Sequence, residues 1–172
     1  MNSLAGQLLL DRGPLTGSEF HRTVVLVCLH DDAGAFGLVL NRPTTDRVAA
    51  VLTDSLPAAL ADEPLYLGGP VQPQKLSCLV AGGTTGHLVL PGLCLTHSLA
   101  GLTDRARFYA GYAGWGPGQL DGELERQAWL TQPARIEHVF DPRPGELWRT
   151  ILRGLGLQYR LLADSPDDVS RN

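Results

Sequence analysis

Apolar residues fall in short blocks of strand length, separated by glycine, proline and acidic turns. Thr23 to His30 (TVVLVCLH) is β-branched and apolar on both faces, as a central buried strand requires. Asp31-Asp32-Ala33-Gly34 supplies turn chemistry and Phe36 to Leu40 resumes the apolar pattern, so a β-hairpin is predicted. Gly6 to Leu10 reads as a short strand before it, followed by a Gly13-Pro14 loop that runs to Ser18. Asn41-Arg42-Pro43-Thr44 ends the hairpin's second strand, because proline donates no backbone hydrogen bond and restricts the residue before it. Further strands are predicted at Pro64–Leu67, Lys75–Val80, His87–Leu90, Arg107–Tyr112 and Trp129–Thr131.

Helical spacing is rarer. Val48, Val51 and Leu52 share one face of a short helix, and Leu120, Leu124 and Ala128 recur every four residues. Leu147, Trp148, Ile151 and Leu155 mark a helix over 146–155, and another is expected over Ser98–Leu102, after Leu93-Cys94-Leu95. Leu157, Tyr159, Leu161 and Leu162 form a last apolar group. Residues 1–163 thus read as one domain, and the polar tail 164–172 is expected to be disordered. Clustered strands with short, scattered helices indicate the α+β class.

A chain of 172 residues can remove roughly two-thirds of its unfolded surface from water without disulfides. Cys28, Cys78 and Cys94 lie in apolar runs without metal-ligand spacing, so they read as reduced, buried thiols of a cytoplasmic protein, and no metal or other cofactor is expected. The formal net charge is -4 and no lysine or arginine stripe interrupts it, which argues against direct nucleic-acid binding. Leu8-Leu9-Leu10 is too short for a signal-peptide core and the run Val24 to Leu29 too short to cross a bilayer, so neither secretion nor membrane insertion is expected.

The densest punctuation is Gly111-Tyr112-Ala113-Gly114-Trp115-Gly116-Pro117-Gly118-Gln119-Leu120, between a strand and a helix. Such a loop can present backbone N–H groups to an anion, but no P-loop lysine follows, the spacing is not GxGxxG, and Pro117 removes a donor. A structural turn presenting Trp115 is favoured, with the indole either a recognition surface or a core plug. Arg42, at a strand end, either reaches a ligand anion or pairs internally with Glu123 or Asp121, the second being favoured. His30-Asp31-Asp32 reads as hairpin decoration, since neighbouring strand residues point to opposite faces.

Four blocks in order, Arg22–Val25, Gly34–Pro43, Leu67–Val71 and Gly111–Leu120, resemble the YqgE/AlgH proteins, an uncharacterised bacterial family. Asp121 stands where that family commonly has glutamate. The resemblance implies an α+β fold with a branched, mixed β-sheet that includes a small β-barrel, surrounded by short helices, and a bacterial cytoplasmic location. It implies little about activity. Some members carry the label of transcriptional regulator, yet the acidic composition and the missing recognition-helix pattern give direct DNA binding no mechanical support.

These readings converge on a non-catalytic binding or regulatory protein whose partner is an unidentified small molecule or protein. Its crevice is expected to be built by Asn41, Arg42, Gly68, Gly69, Gly114, Trp115 and Gln119. The alternative is an enzyme acting on a small anionic substrate, with Arg42 binding it and His30 or Glu123 moving protons. Nothing in the pattern fixes an oligomeric state.

Overall fold

The computed structural model describes residues 3–13, 15, 18–52 and 56–166. In chain order the elements are β1 (Gln7–Asp11), β2 (Val24–Asp31), β3 (Gly34–Val39), β4 (Pro43–Arg47), α1 (Val48–Val51), α2 (Ala58–Ala61), β5 (Pro64–Leu67), β6 (Val71–Ala81), β7 (His87–Leu90), β8 (Leu93–Thr96), β9 (Ala106–Trp115), α3 (Gln119–Glu125) and β10 (Trp129–Pro133). They continue as α4 (Ile136–Val139), a 3-10 turn at Pro144–Glu146 that runs into α5 (Leu147–Arg153), and α6 (Leu157–Ala163).

The 10-stranded sheet follows the order β10-β1-β2-β3-β9-β6-β8-β7, with β4 and β5 branching from β9. All pairs are antiparallel except β5 with β9. The branch lies within β9 itself. Tyr109 pairs with Tyr66 of β5 on one side and Ser77 of β6 on the other, whereas further along Gly114 pairs with Phe36 of β3. The sheet curls into a half-barrel. Its two ends approach each other, since a Cβ placed on Gly6, just before β1, would stand 3.1 Å from the carbonyl oxygen of Val89 in β7.

Burial follows the two-residue period of the strands. Val24, Leu26 and Cys28 of β2 face an inner cluster with Leu8, Leu79, Leu95 and Tyr109, which α5 closes with Leu147, Trp148 and Leu152. Val25 and Val27 face a second cluster with Val39, Trp115, Leu120 and Trp129, covered by α3. A third, under α1 and α2, joins Val48, Leu60, Leu65, Cys78 and Phe108. Each fully buried side chain of this size contributes about 1.5–3 kcal/mol, and β2, buried on both faces, serves two clusters at once.

The predicted hairpin and the strand at Pro64–Leu67 are present. The helix expected over Ser98–Leu102 is instead a turn: the Ser98 N–H donates to Thr96 Oγ1 at 3.1 Å, the Ala100 N–H to Ser98 Oγ at 3.1 Å, and Gly101 has φ +77°. Hydroxyl side chains have taken the amides a helix would need, and the strand before them extends through Thr96. Pro43, read as a stop, opens the edge strand β4, where its missing N–H costs no ladder bond. The last apolar group is helical, as α6.

At the start of the expected tail, Arg153 holds the Asp164 carboxylate at 2.7 Å and Arg22 Nη2 donates to the carbonyls of Ser165 and Pro166 at 2.9 and 2.8 Å. Positions 167–172 of that tail, and Pro14 of the early loop, lie outside the described residues. No described helix is long and apolar enough to cross a membrane. Cys28, Cys78 and Cys94 are free and buried, and burial pushes the Cys78 thiol up to about 12 and raises that of Cys28 as well.

Candidate functional site

The Asn41 side chain takes over the ladder where β3 ends. Its Oδ1 accepts the Val24 N–H at 2.9 Å and its Nδ2 donates to the Arg22 carbonyl at 2.9 Å, so the chain is clamped to β2 immediately before Arg42. Arg42 then lines a cavity of about 290 Å³ with Glu19, Phe20, Val39, Leu67, Gly69, Pro70 and Pro73. Its Nη2 donates to the His21 carbonyl at 3.2 Å. Burial lowers the guanidinium pKa from its ordinary value, and the Glu19 charge opposes that shift. A half-buried cation thus faces a small space with mostly apolar walls.

Glycines make the far wall thin. Gly68 donates to the Ala110 carbonyl and accepts from Val39 N, both at 2.9 Å, tying the end of β5 to β9 and β3 together. A Cβ on Gly69, whose φ is +152°, would lie 2.2 Å from the carbonyl carbon of Tyr112. No side chain fits there, so the loop's backbone packs directly on β9.

Trp115 and its neighbours form a different arrangement. Its ring is 7% exposed, inside the second cluster, and its Nε1–H donates to Glu123 Oε2 at 2.9 Å. Trp129 donates to the same oxygen at 2.7 Å, while Gln119 Nε2 donates to Glu123 Oε1 at 3.1 Å. The Gly116 N–H in turn donates to Gln119 Oε1 at 3.0 Å. One carboxylate on α3 therefore organises two indoles and the glycine loop. Asp121 and Glu123 place two carboxylates in the first turns of α3 just after this loop, and like charge there disfavours a phosphate.

Of the seven residues expected to form one crevice, Arg42 and Gly69 line the cavity and Gly68 abuts it. Asn41 spends its amide on backbone, and Trp115 and Gln119 belong to the Glu123 network. Gly114 pairs with Phe36, and a Cβ there would stand 3.2 Å from the Tyr112 ring. The two groups touch through the cavity wall: Phe20 packs edge-on to Trp129 at 5.7 Å between ring centroids, and Trp129 edge-on to Trp115 at 6.4 Å.

Arg42 pairs with neither of its two expected partners. Glu123 is occupied by the indoles, and Asp121 Oδ2 faces His30 Nε2 at 3.7 Å. His30 Nδ1 accepts the Leu4 N–H at 3.1 Å, so neither His30 nor Glu123 stands on the cavity lining with Arg42. Glu19, Phe20 and Pro73 carry no local pattern that marks them as lining residues; only folding brings them to Arg42. The sequence reading also missed Ser77 Oγ, 3.4 Å from His97 Nδ1, the spacing of a nucleophile and its base. That nitrogen also lies 3.1 Å from the Leu76 carbonyl oxygen, which only accepts, so Nδ1 carries the proton and is not a base toward Ser77. Among the described residues no cluster of three or more His, Cys, Asp or Glu is placed to hold a metal ion.

Known proteins resemble this chain across nearly its whole length. The AlgH-like family model, DUF179, matches residues 8–160. A UPF0301 protein of Streptomyces coelicolor is 38% identical, the match covering 100% of this chain and 97% of that protein. Another UPF0301 protein, of Myxococcus xanthus, is 38% identical over 94% of this chain and 96% of its own. Among solved structures, the AlgH protein of Pseudomonas aeruginosa superimposes with a TM-score of 0.76 at 31% identity, covering 98% of this chain and 97% of its own. A Corynebacterium diphtheriae protein shares the fold with a TM-score of 0.82 at 23% identity, covering 96% of this chain and 93% of its own. With the half-barrel, its branch strand and the glycine-rich blocks all inside the matched span, the chain belongs to the AlgH-like family.

Proposed function

We propose that this protein is a cytoplasmic, non-catalytic binding protein with a regulatory role, and that the Arg42 cavity holds a small anionic molecule. One observation carries the reading: a half-buried guanidinium lines a cavity while its only direct hydrogen bond, among the described residues, goes to the His21 backbone carbonyl. A desolvated arginine in that position retains donors for a carboxylate or phosphate, and an anion there would recover the charge pairing that burial has weakened. Phe20, Val39 and Leu67 give the remainder of such a ligand an apolar wall. Direct contact with DNA forms no part of this reading, since the net charge is -4.

Trp129, which packs on the cavity residue Phe20, supplies an intrinsic reporter. Titration with inorganic phosphate, malate and citrate is expected to give a saturable fluorescence change with at least one of them. Arg42→Ala should weaken that binding about tenfold or more, the loss of one charge-assisted contact, while lowering stability without anion by no more than about 1.5 kcal/mol, the cost of its hydrogen bond to the His21 carbonyl. Equal titrations of wild type and Arg42→Ala would refute the assignment.

A further inference from the structure

A second cavity, of about 510 Å³, lies between α4 and α5 and shares no lining residue with the first. Leu147, Ile151 and Leu155 give it an apolar wall, and Arg135, Glu137, His138 and Asp141 bring charged and polar groups to it. The volume is in the range of small-molecule sites, about 300–1,000 Å³.

His138 decides what this wall can recognise. The backbone N–H of Arg135 donates to His138 Nδ1 at 3.1 Å, so in the neutral imidazole Nδ1 carries the lone pair and Nε2 the proton. Burial and the neighbouring Arg135 charge lower the imidazole pKa, against the opposing effect of Glu137 and Asp141, which keeps the ring neutral at pH 7. Arg135 Nη2 stands 3.2 Å from Nε2. Both atoms are then donors, and two N–H groups lie side by side without an acceptor. A single anionic oxygen that takes one proton from each would satisfy both.

The same wall offers the opposite charge. Glu137 makes no hydrogen bond or ion pair among the described residues, and Asp141 uses Oδ1 for the Arg143 N–H at 2.7 Å, leaving Oδ2. A ligand bearing only a carboxylate would meet two like charges here, and one bearing only an ammonium would meet Arg135. Both charges on one small apolar molecule match the set.

We propose that this groove binds a free α-amino acid with an apolar side chain: its carboxylate on Arg135 Nη2 and His138 Nε2, its ammonium at Glu137 and Asp141, and its side chain on Leu147, Ile151 and Leu155. Calorimetric titration of the full chain with L-phenylalanine, 3-phenylpropanoate and phenethylamine separates the three contributions. L-Phenylalanine is expected to bind about tenfold more tightly than either truncated compound, each of which lacks one charged contact. Arg135 is exposed, so Arg135→Ala should leave the melting curve unchanged, weaken L-phenylalanine about tenfold and leave phenethylamine bound at least as tightly as before, because a like charge is gone. Glu137→Gln should weaken L-phenylalanine and phenethylamine and leave 3-phenylpropanoate bound at least as tightly as before. Absence of L-phenylalanine binding at millimolar concentration, equal affinity for all three compounds, or an Arg135→Ala variant that loses phenethylamine equally would overturn the proposal.

Discussion

Replacing Glu123 with alanine removes the acceptor shared by two buried indoles, and the structure sets the size of the effect. Oε2 accepts from Trp115 at 2.9 Å and from Trp129 at 2.7 Å, and these side chains are 7% and 4% exposed. Each buried donor left unpaired costs about 1–3 kcal/mol. Glu123 itself is half-buried, so water enters the vacated space and satisfies part of the loss, which places the expected destabilisation at about 2–4 kcal/mol. Glu123→Gln is a finer probe. It keeps an oxygen for the indoles but turns an amide NH₂ toward Gln119 Nε2, which now donates to Glu123 Oε1 at 3.1 Å. To avoid donor facing donor, Gln119 has to turn its own amide, and the Gly116 N–H then loses the acceptor it holds at 3.0 Å. One lost hydrogen bond and the loss of charge assistance amount to about 1–2 kcal/mol. Urea unfolding followed by far-ultraviolet circular dichroism reads both values without relying on the indoles, provided the slope with denaturant is unchanged. In a Trp115→Phe background the Glu123→Ala cost should fall by about 1–2 kcal/mol, because one donor is already gone. A Glu123→Ala variant within about 0.5 kcal/mol of wild type, or full additivity with Trp115→Phe, would refute the reasoning.

Glycines of similar appearance separate sharply. Gly69→Ala puts a Cβ 2.2 Å from the carbonyl carbon of Tyr112 and is expected to cost more than about 4 kcal/mol or abolish folding. In Gly116→Ala the nearest atom is Gln119 Oε1 at 3.9 Å, so its unfolding free energy should stay within about 0.5 kcal/mol of wild type; comparable losses in both variants would contradict the geometry. The depressed pKa of His138 predicts a pH effect with a defined sign. The folded state favours the neutral ring, so this contribution is fully present above about pH 6.5 and is lost as the pH falls from there through the lower folded-state pKa. His138→Gln should therefore flatten the decline of stability between pH 7.5 and 5.5, and an identical pH profile for the two proteins would count against the assignment.

The strands that were legible share a cause. β2 is apolar on both faces and bounded by acidic turn residues, and β5 is closed by Gly68-Gly69-Pro70, so composition and punctuation agree. At Ser98–Leu102 what mattered was invisible to periodicity: Leu99 and Leu102 do pack on the third cluster, but hydroxyls and Gly101 hold the backbone as a turn. Within the candidate site, Arg42 could be singled out because a cation follows an apolar strand. Its surroundings could not, since Glu19, Phe20 and Pro73 reach it only through the packing of three separate segments. Gln119 and Glu123, four residues apart on α3, lie on one helix face and bond directly. That Glu123 also serves Trp129 depends on the chain returning as β10 beside β1, a long-range event with no local signal.

The sharing of β9 among β3, β5 and β6 has a bearing on how this architecture tolerates change in length. One residue inserted between Ala106 and Trp115 would throw the ladders on either side of it out of step with one another and turn the side chains beyond it to the opposite face. Growth or shortening of the polypeptide is thereby confined to connections that no ladder reads, which leaves the middle of the molecule a fixed ruler against which its variable parts are measured.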